Sequence, residues 1–185
     1  MILSIKNMVC DRCVMSVRAT LDAMGLDVKN VGIGNAEIAG ELTAQQLDDL
    51  DSRLRATGFQ LLRNHDDALV ERIKTTAIYL ARHAADKQAK LSEQLSSALS
   101  TDYKQLSTIF SVHEHRTIEK FYIAQKIEYV KELLDYGELT VSEIAWRTGY
   151  SSVAHLSRQF LQVTGITPTQ YKTQQGPSRR ALDSI

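Results

Sequence analysis

The chain has 185 residues, 43% of them hydrophobic, with 22 basic and 22 acidic side chains and a formal net charge of zero. That length suits one or two small domains with ordinary packed cores, and the balanced charge excludes recognition of nucleic acid or membrane by bulk electrostatics; a charged partner must be met by local patches. No stretch approaches the roughly 18 apolar residues that span a bilayer, and Met1–Val9 carries Lys6 and Asn7, so we expect a cytoplasmic chain with no targeting segment and no membrane contact.

The first 64 residues change rhythm repeatedly. Ile2–Lys6 alternates as a short strand, and Cys13–Met24 puts Val14, Val17, Leu21 and Met24 on one helical face. Asp27–Gly34 reads as a strand that turns through Asn35 into Ala36–Gly40. Thr43 with Gln46 is a capping-box signature for a second helix closing at Gly58, and Phe59–Arg63 is the last strand. Strand–helix–strand–strand–helix–strand is the order of the ferredoxin-like βαββαβ unit. We therefore expect an α+β domain over residues 1–64, with a boundary near Asn64–Ala68.

Beyond it the pattern is helical: Leu69–Ala85, Lys90–Leu99, Tyr103–His113, Ile118–Tyr136, Val141–Thr148, Ser152–Thr164 and a short helix started by Thr167-Pro168. This second domain spans residues 69–173, and the polar stretch 174–185, with Pro177, reads as a flexible tail. Leu106-Ser107 and Phe110 recur as Leu156-Ser157 and Phe160, a repeat of 50 residues that points to a duplicated helix–turn–helix. In the second copy Thr140 and Glu143 form a capping box, Gly149 supplies the turn and Tyr150 plugs the angle. Leu156 and Phe160 face inward, leaving Ser152, Val153, His155, Arg158 and Gln159 outward, a set suited to base edges. The helix between the copies, about 19 residues or roughly 28 Å, comes close to the roughly 34 Å between successive major-groove faces, so one chain can seat two recognition helices. A plain helical bundle with a solvated outer face is the competing reading.

Residues 69–172 resemble the AraC-type DNA-binding domain. The residues that carry the resemblance are Ile144-Ala145, Gly149-Tyr150, Phe160 ahead of Gly165-Ile166-Thr167-Pro168, and Tyr171-Lys172. Departures are Ser96 and Ser100 where Ala and a turn Gly are usual, His115 where a Gly usually follows the first recognition helix, and Lys126 in place of a linker-helix Arg. The resemblance implies base-facing positions at Lys104, Gln105, Ser107 and Thr108 in the first motif and Ser152, Val153, His155 and Arg158 in the second. It implies double-stranded DNA, read in the major groove, and RNA polymerase as partners; it leaves the oligomeric state open. Phosphate contacts are expected from Lys104, Arg116, Lys120, Arg147 and Lys172, with a modest salt dependence because Glu114, Glu119 and Glu143 are interspersed. His113 and His115, two apart on a helix, point in different directions and read as helix-end residues rather than metal ligands.

Both cysteines lie in one stretch, Met8-Val9-Cys10-Asp11-Arg12-Cys13, at CxxC spacing. Cys10 falls in the loop after the first strand and Cys13 at the start of the first helix, where the helix N-terminus and Arg12 lower a thiol pKa. Two soft sulfur ligands select Cu(I), whereas structural zinc needs two more ligands. Residues 1–63 resemble the heavy-metal-associated domain of copper chaperones and copper-pump N-termini, through Met8-x-Cys10-x-x-Cys13 and Gly58-Phe59. They depart from it in a shortened hairpin and in Asn7, where a Gly usually precedes Met8. Metal binding, an idle relic of a metal-binding ancestor and redox work compete for the pair. The absence of proline from the first 64 residues argues against a thioredoxin-like enzyme, whose fold usually sets a cis-proline against its thiols. The reading that follows is a non-enzymatic, sequence-specific transcription regulator whose small α+β domain takes a soft metal ion, with Cys10 and Cys13 as ligands. The rival is a metal chaperone or thiol-redox protein whose helical half is a docking module.

Overall fold

Alternation in Ile2-Leu3-Ser4-Ile5-Lys6 sends Leu3 and Ile5 to one face of a strand, and both are buried in the computed structural model, which describes residues 1–83 and 89–173. Contacts divide the chain into two units, Met1–Thr75 and Thr76–Ile185.

In the first unit the order is β1 (Ile2–Lys6), α1 (Asp11–Ala23), β2 (Val28–Gly32), β3 (Asn35–Ile38), α2 (Ala44–Ala56) and β4 (Gln60–Leu62). The strands form one antiparallel sheet in the order β2-β3-β1-β4, with Leu3 opposite Ala36 and Ile5 opposite Leu61. Val17 and Leu21 of α1 and Leu50 and Leu54 of α2, each spaced one helical turn apart, join Leu3, Ile5, Ala36, Ile38 and Leu61 in one core. Fully burying such a side chain contributes about 1.5–3 kcal/mol. Helix α2 opens on the expected Thr43–Gln46 capping box. The hairpin turns at Ile33-Gly34, not at Asn35: Gly34 takes the positive φ of 84° and Asn35 is already paired in β3.

Helix α3 (His65–Arg82) starts inside the stretch read as a domain boundary and carries its first turns within the first unit. Asn64 explains the early start, because its side-chain oxygen accepts from the Asp66 amide and its carbonyl from the Ala68 amide, as a helix cap does. The expected end of this helix at Ala85 and the tail 174–185 lie outside the described residues.

The second unit holds the end of α3 and then α4 (Leu91–Leu99), α5 (Tyr103–Glu114), α6 (Ile118–Tyr136), α7 (Val141–Arg147), α8 (Val153–Thr164) and α9 (Pro168–Thr173). Helix α6 is the spine. Phe121 near its start meets Phe110 of α5 edge to face, with ring centroids 5.6 Å apart. Farther along, Ile127, Val130 and Leu134 share a core with Ile144 and Ala145 of α7, Tyr150, and Leu156 and Phe160 of α8, and Ile123 packs at its edge. Tyr171 of α9 closes it against Phe160. Among the described residues no helix is long and apolar enough to cross a membrane.

Candidate functional site

The second unit contains two helix–turn–helix pairs, α4–α5 and α7–α8. In α5, Leu106 and Phe110 are wholly buried while Lys104, Gln105 and Thr108 are exposed and Ser107 is half-buried. Leu156 and Phe160 of α8 are likewise wholly buried, with Ser152, Val153, His155 and Arg158 exposed. Seven of the eight positions carried over from the resemblance are therefore on the surface, opposite the core stripe of their own helix.

Their side chains are not equally available. Ser152 is the N-cap of α8, its hydroxyl accepting from the His155 amide. The Thr108 hydroxyl donates back to the Lys104 carbonyl. His155 sets Nδ1 3.1 Å from the Ser151 hydroxyl and its ring edge-on to Tyr150 at 5.2 Å. Gln159, expected on the outward face, is half-buried and its side-chain oxygen accepts from the Tyr150 hydroxyl at 2.7 Å, because the turn brings Tyr150 onto that side of α8.

Tyr150 is thus a hub. Its hydroxyl holds Gln159, its ring meets His155, and the Lys126 ammonium from α6 sits 4.0 Å from its centroid. Tyr122, one turn before Lys126, supplies a second ring at 5.7 Å. Lys126 is buried, and that desolvation lowers its pKa to about 8. Sequence reasoning saw Lys126 only as a replacement for Arg; the hydrophobic pattern of α6 carries no sign of the aromatic pair around it. Tyr103, at the start of α5, donates its hydroxyl to Glu119 of α6, which raises the phenol's pKa behind the larger effect of burial.

The expected phosphate contacts differ in the same way. Lys104, Lys120, Arg147 and Lys172 are exposed, whereas Arg116 is half-buried, paired with Glu114 at 3.2 Å and stacked over Phe121 at 4.8 Å. Glu143 is consumed by its capping box with Thr140. His115 caps α5 in the left-handed conformation, φ 53°, in keeping with a helix-end role.

In the first unit Cys10 is the N-cap residue of α1 and Cys13 lies in its first turn, with the two sulfurs 3.5 Å apart. The Cys13 amide is the main influence holding the Cys10 thiol below its usual pKa; slight burial opposes it, and the Cys13 thiol and Arg12 reinforce it. Met8 is wholly buried and serves the core. Among the described residues no cluster of three or more His, Cys, Asp or Glu is placed to hold a metal ion. The donor set is two thiols, which suits a soft ion of low coordination number and not tetrahedral zinc.

Residues 95–174 match the family described as a helix-turn-helix domain. The chain is 28% identical over 102 residues to the uncharacterised HTH-type transcriptional regulator YdiP of Escherichia coli, an alignment covering 55% of this chain and 33% of that one. It is 26% identical over 110 residues to LumQ of Photobacterium leiognathi, a probable transcriptional regulator, covering 58% and 43%. It therefore spans less than half the length of these curated relatives. Among solved structures, the C-terminal domain of AraT, a response regulator from Geobacillus stearothermophilus, superimposes with a TM-score of 0.53 at 22% identity, covering 64% of this chain and 95% of that domain. The fold of the helical half is shared with that domain, the two relatives are described as transcriptional regulators, and residues 95–174 of this chain match a helix-turn-helix domain.

Proposed function

We propose that the protein is a sequence-specific transcription regulator of the AraC type, which seats α5 and α8 in the major groove of double-stranded DNA and works on RNA polymerase. The observation that carries this reading is the duplication. Two helices each bury a Leu and a Phe four residues apart on the 50-residue repeat and expose a polar face, joined by a helix of 19 residues. A docking bundle has no need of that spacing, whereas successive major-groove faces lie roughly 34 Å apart. Retention of labelled duplexes from a random pool, challenged with unlabelled non-specific DNA, tests it. A selected set of sequences should survive the challenge, and Lys104→Ala should weaken binding evenly across them, as a phosphate contact does. Retention that the challenge abolishes for every sequence defeats the reading.

For the first unit the β2-β3-β1-β4 order supports a ferredoxin-like assignment, and the paired sulfurs support the heavy-metal-associated likeness. We propose that Cys10 and Cys13 take one Cu(I) as a signal. The reduced chain should bind about one Cu(I) against a competing chelator, and Cys10→Ser with Cys13→Ser should abolish uptake without lowering the thermal stability of the helical half. Sensing requires more than uptake, because a ligand shifts a regulator only by its differential affinity for two states. Operator affinity that is the same with and without Cu(I), in wild type and double variant alike, leaves the pair idle.

A further inference from the structure

Resting on the reading of α5 and α8 as recognition helices, we propose that Gln105 and Arg158 are the two base-reading side chains, one in each motif, and that the operator is asymmetric, with an adenine under the first helix and a guanine under the second. Availability separates the exposed positions. A side chain can read a base edge only with donors and acceptors that the protein has not already used.

On the 50-residue repeat Gln105 corresponds to His155, and Thr108 to Arg158. In each pair one member is engaged and the other is open. Thr108 gives its hydroxyl proton to the Lys104 carbonyl and keeps a lone acceptor, too little for a bidentate contact, whereas its counterpart Arg158 is exposed with its whole donor fork. His155 has Nδ1 at the Ser151 hydroxyl and its ring against Tyr150, which leaves one ring nitrogen, whereas its counterpart Gln105 is exposed with both amide groups open. Among the described residues none bonds or pairs with the Gln105 amide or the Arg158 guanidinium. Ser152 accepts from the His155 amide as a helix cap and retains a single donor, Val153 offers only a methyl contact, and Ser107 is half-buried. Lys104 is exposed, but an ammonium is a point charge better suited to phosphate than to a base.

The two open groups have distinct preferences. The carboxamide of Gln matches the N6 donor and N7 acceptor of adenine, and the guanidinium of Arg matches O6 and N7 of guanine. They also stand at different depths: Gln105 is in the first turn of α5, Arg158 in the second turn of α8. Three residues of helix is about 4.5 Å, roughly one base-pair step, so the duplicated protein does not read a duplicated site.

Selection of bound duplexes from a random pool by the full chain tests this. The wild type should return a site with one dominant adenine and one dominant guanine in separate half-sites. Gln105→Ala should lower the adenine preference about tenfold and leave the guanine, and Arg158→Ala the reverse. Arg158→Gln should convert the guanine into an adenine, a change that misfolding cannot imitate. A selected site whose two preferences survive Gln105→Ala and Arg158→Ala overturns the assignment while leaving DNA reading intact. Failure of the wild type to select any site overturns the DNA-binding reading itself, and this inference with it.

Discussion

The two helix–turn–helix motifs bury the same Leu–Phe pair but are finished differently. In the second, α7 opens on a reciprocal Thr140–Glu143 box, the turn is made by Gly149 at φ 71°, and α8 ends at Gly165. In the first, α4 starts at Lys90 with no side-chain cap, the turn is made by Ser100 at φ 50°, and α5 ends at His115 at φ 53°. Local rules are satisfied in one copy and overridden in the other. The first motif must therefore take more of its stability from packing, including Phe110 on Phe121 and the Tyr103–Glu119 bond.

If the cores are equivalent and only the finishing differs, Phe110→Ala and Phe160→Ala should each cost about 3–5 kcal/mol, since both rings are wholly buried. Chemical denaturation measures this, and a cost under about 1 kcal/mol at either position breaks the equivalence.

Lys126 of α6 sits against Tyr150 of the second motif, and pH separates that motif from the first. The lysine's pKa of about 8 lies below the value near 10.5 of an unfolded lysine. Between those values the unfolded chain holds a proton that the folded chain has released, so stability rises with pH, by about 1–2 kcal/mol from pH 8 to 10. Above that, Tyr122 and Tyr150, both raised by burial, reverse the trend. Denaturation midpoints across pH 7–10 should show the rise in wild type and a flat profile in Lys126→Met.

Smaller effects sharpen the contrast in finishing. Thr140→Ala should cost about 1 kcal/mol, whereas Lys90→Ser, which supplies the missing cap, should gain about 0.5 kcal/mol in a thermal melt. Ser100→Gly and His115→Gly should each gain about 0.5 kcal/mol, the relief of a left-handed residue less the entropy of a glycine. A loss at either position means that the side chain makes up for its backbone.

Most elements were legible because their signals are local. The alternation of Ile2–Lys6, the one-turn spacing of Val17 and Leu21 and the capping boxes at Thr43 and Thr140 all lie within a few residues. The 50-residue repeat exposed the second unit's plan for the same reason, since like residues recur at a fixed interval. Legibility failed where a distant partner decides the outcome. Nothing near Gln159 reveals that Tyr150 turns it inward, and nothing near Lys126 reveals two tyrosine rings. The boundary was misplaced because the polar run Asn64–Asp67 resembles a linker by composition, yet Asn64 caps the helix that follows. Of the eight positions expected to face DNA, the exposure of seven followed from the helical period; availability did not, because it depends on hydroxyls bonding back to their own helix.

Among the described residues Asn7 completes the set of three non-glycine residues with positive φ, at 73°, and unlike Ser100 and His115 it is tied down on two sides. Its amide donates to the Glu71 carboxylate and its side-chain nitrogen to the Gly58 carbonyl, each at 3.0 Å, and the next residue, Met8, is wholly buried. The segment leading to the thiols is therefore clamped up to Met8, one residue short of Cys10's neighbour Val9. The thiol pair is thereby carried on a short loop whose entry is fixed, which would limit how far the two sulfurs can part. Amide hydrogen exchange should record that edge as slow exchange at Asn7 giving way to fast exchange just before Cys10.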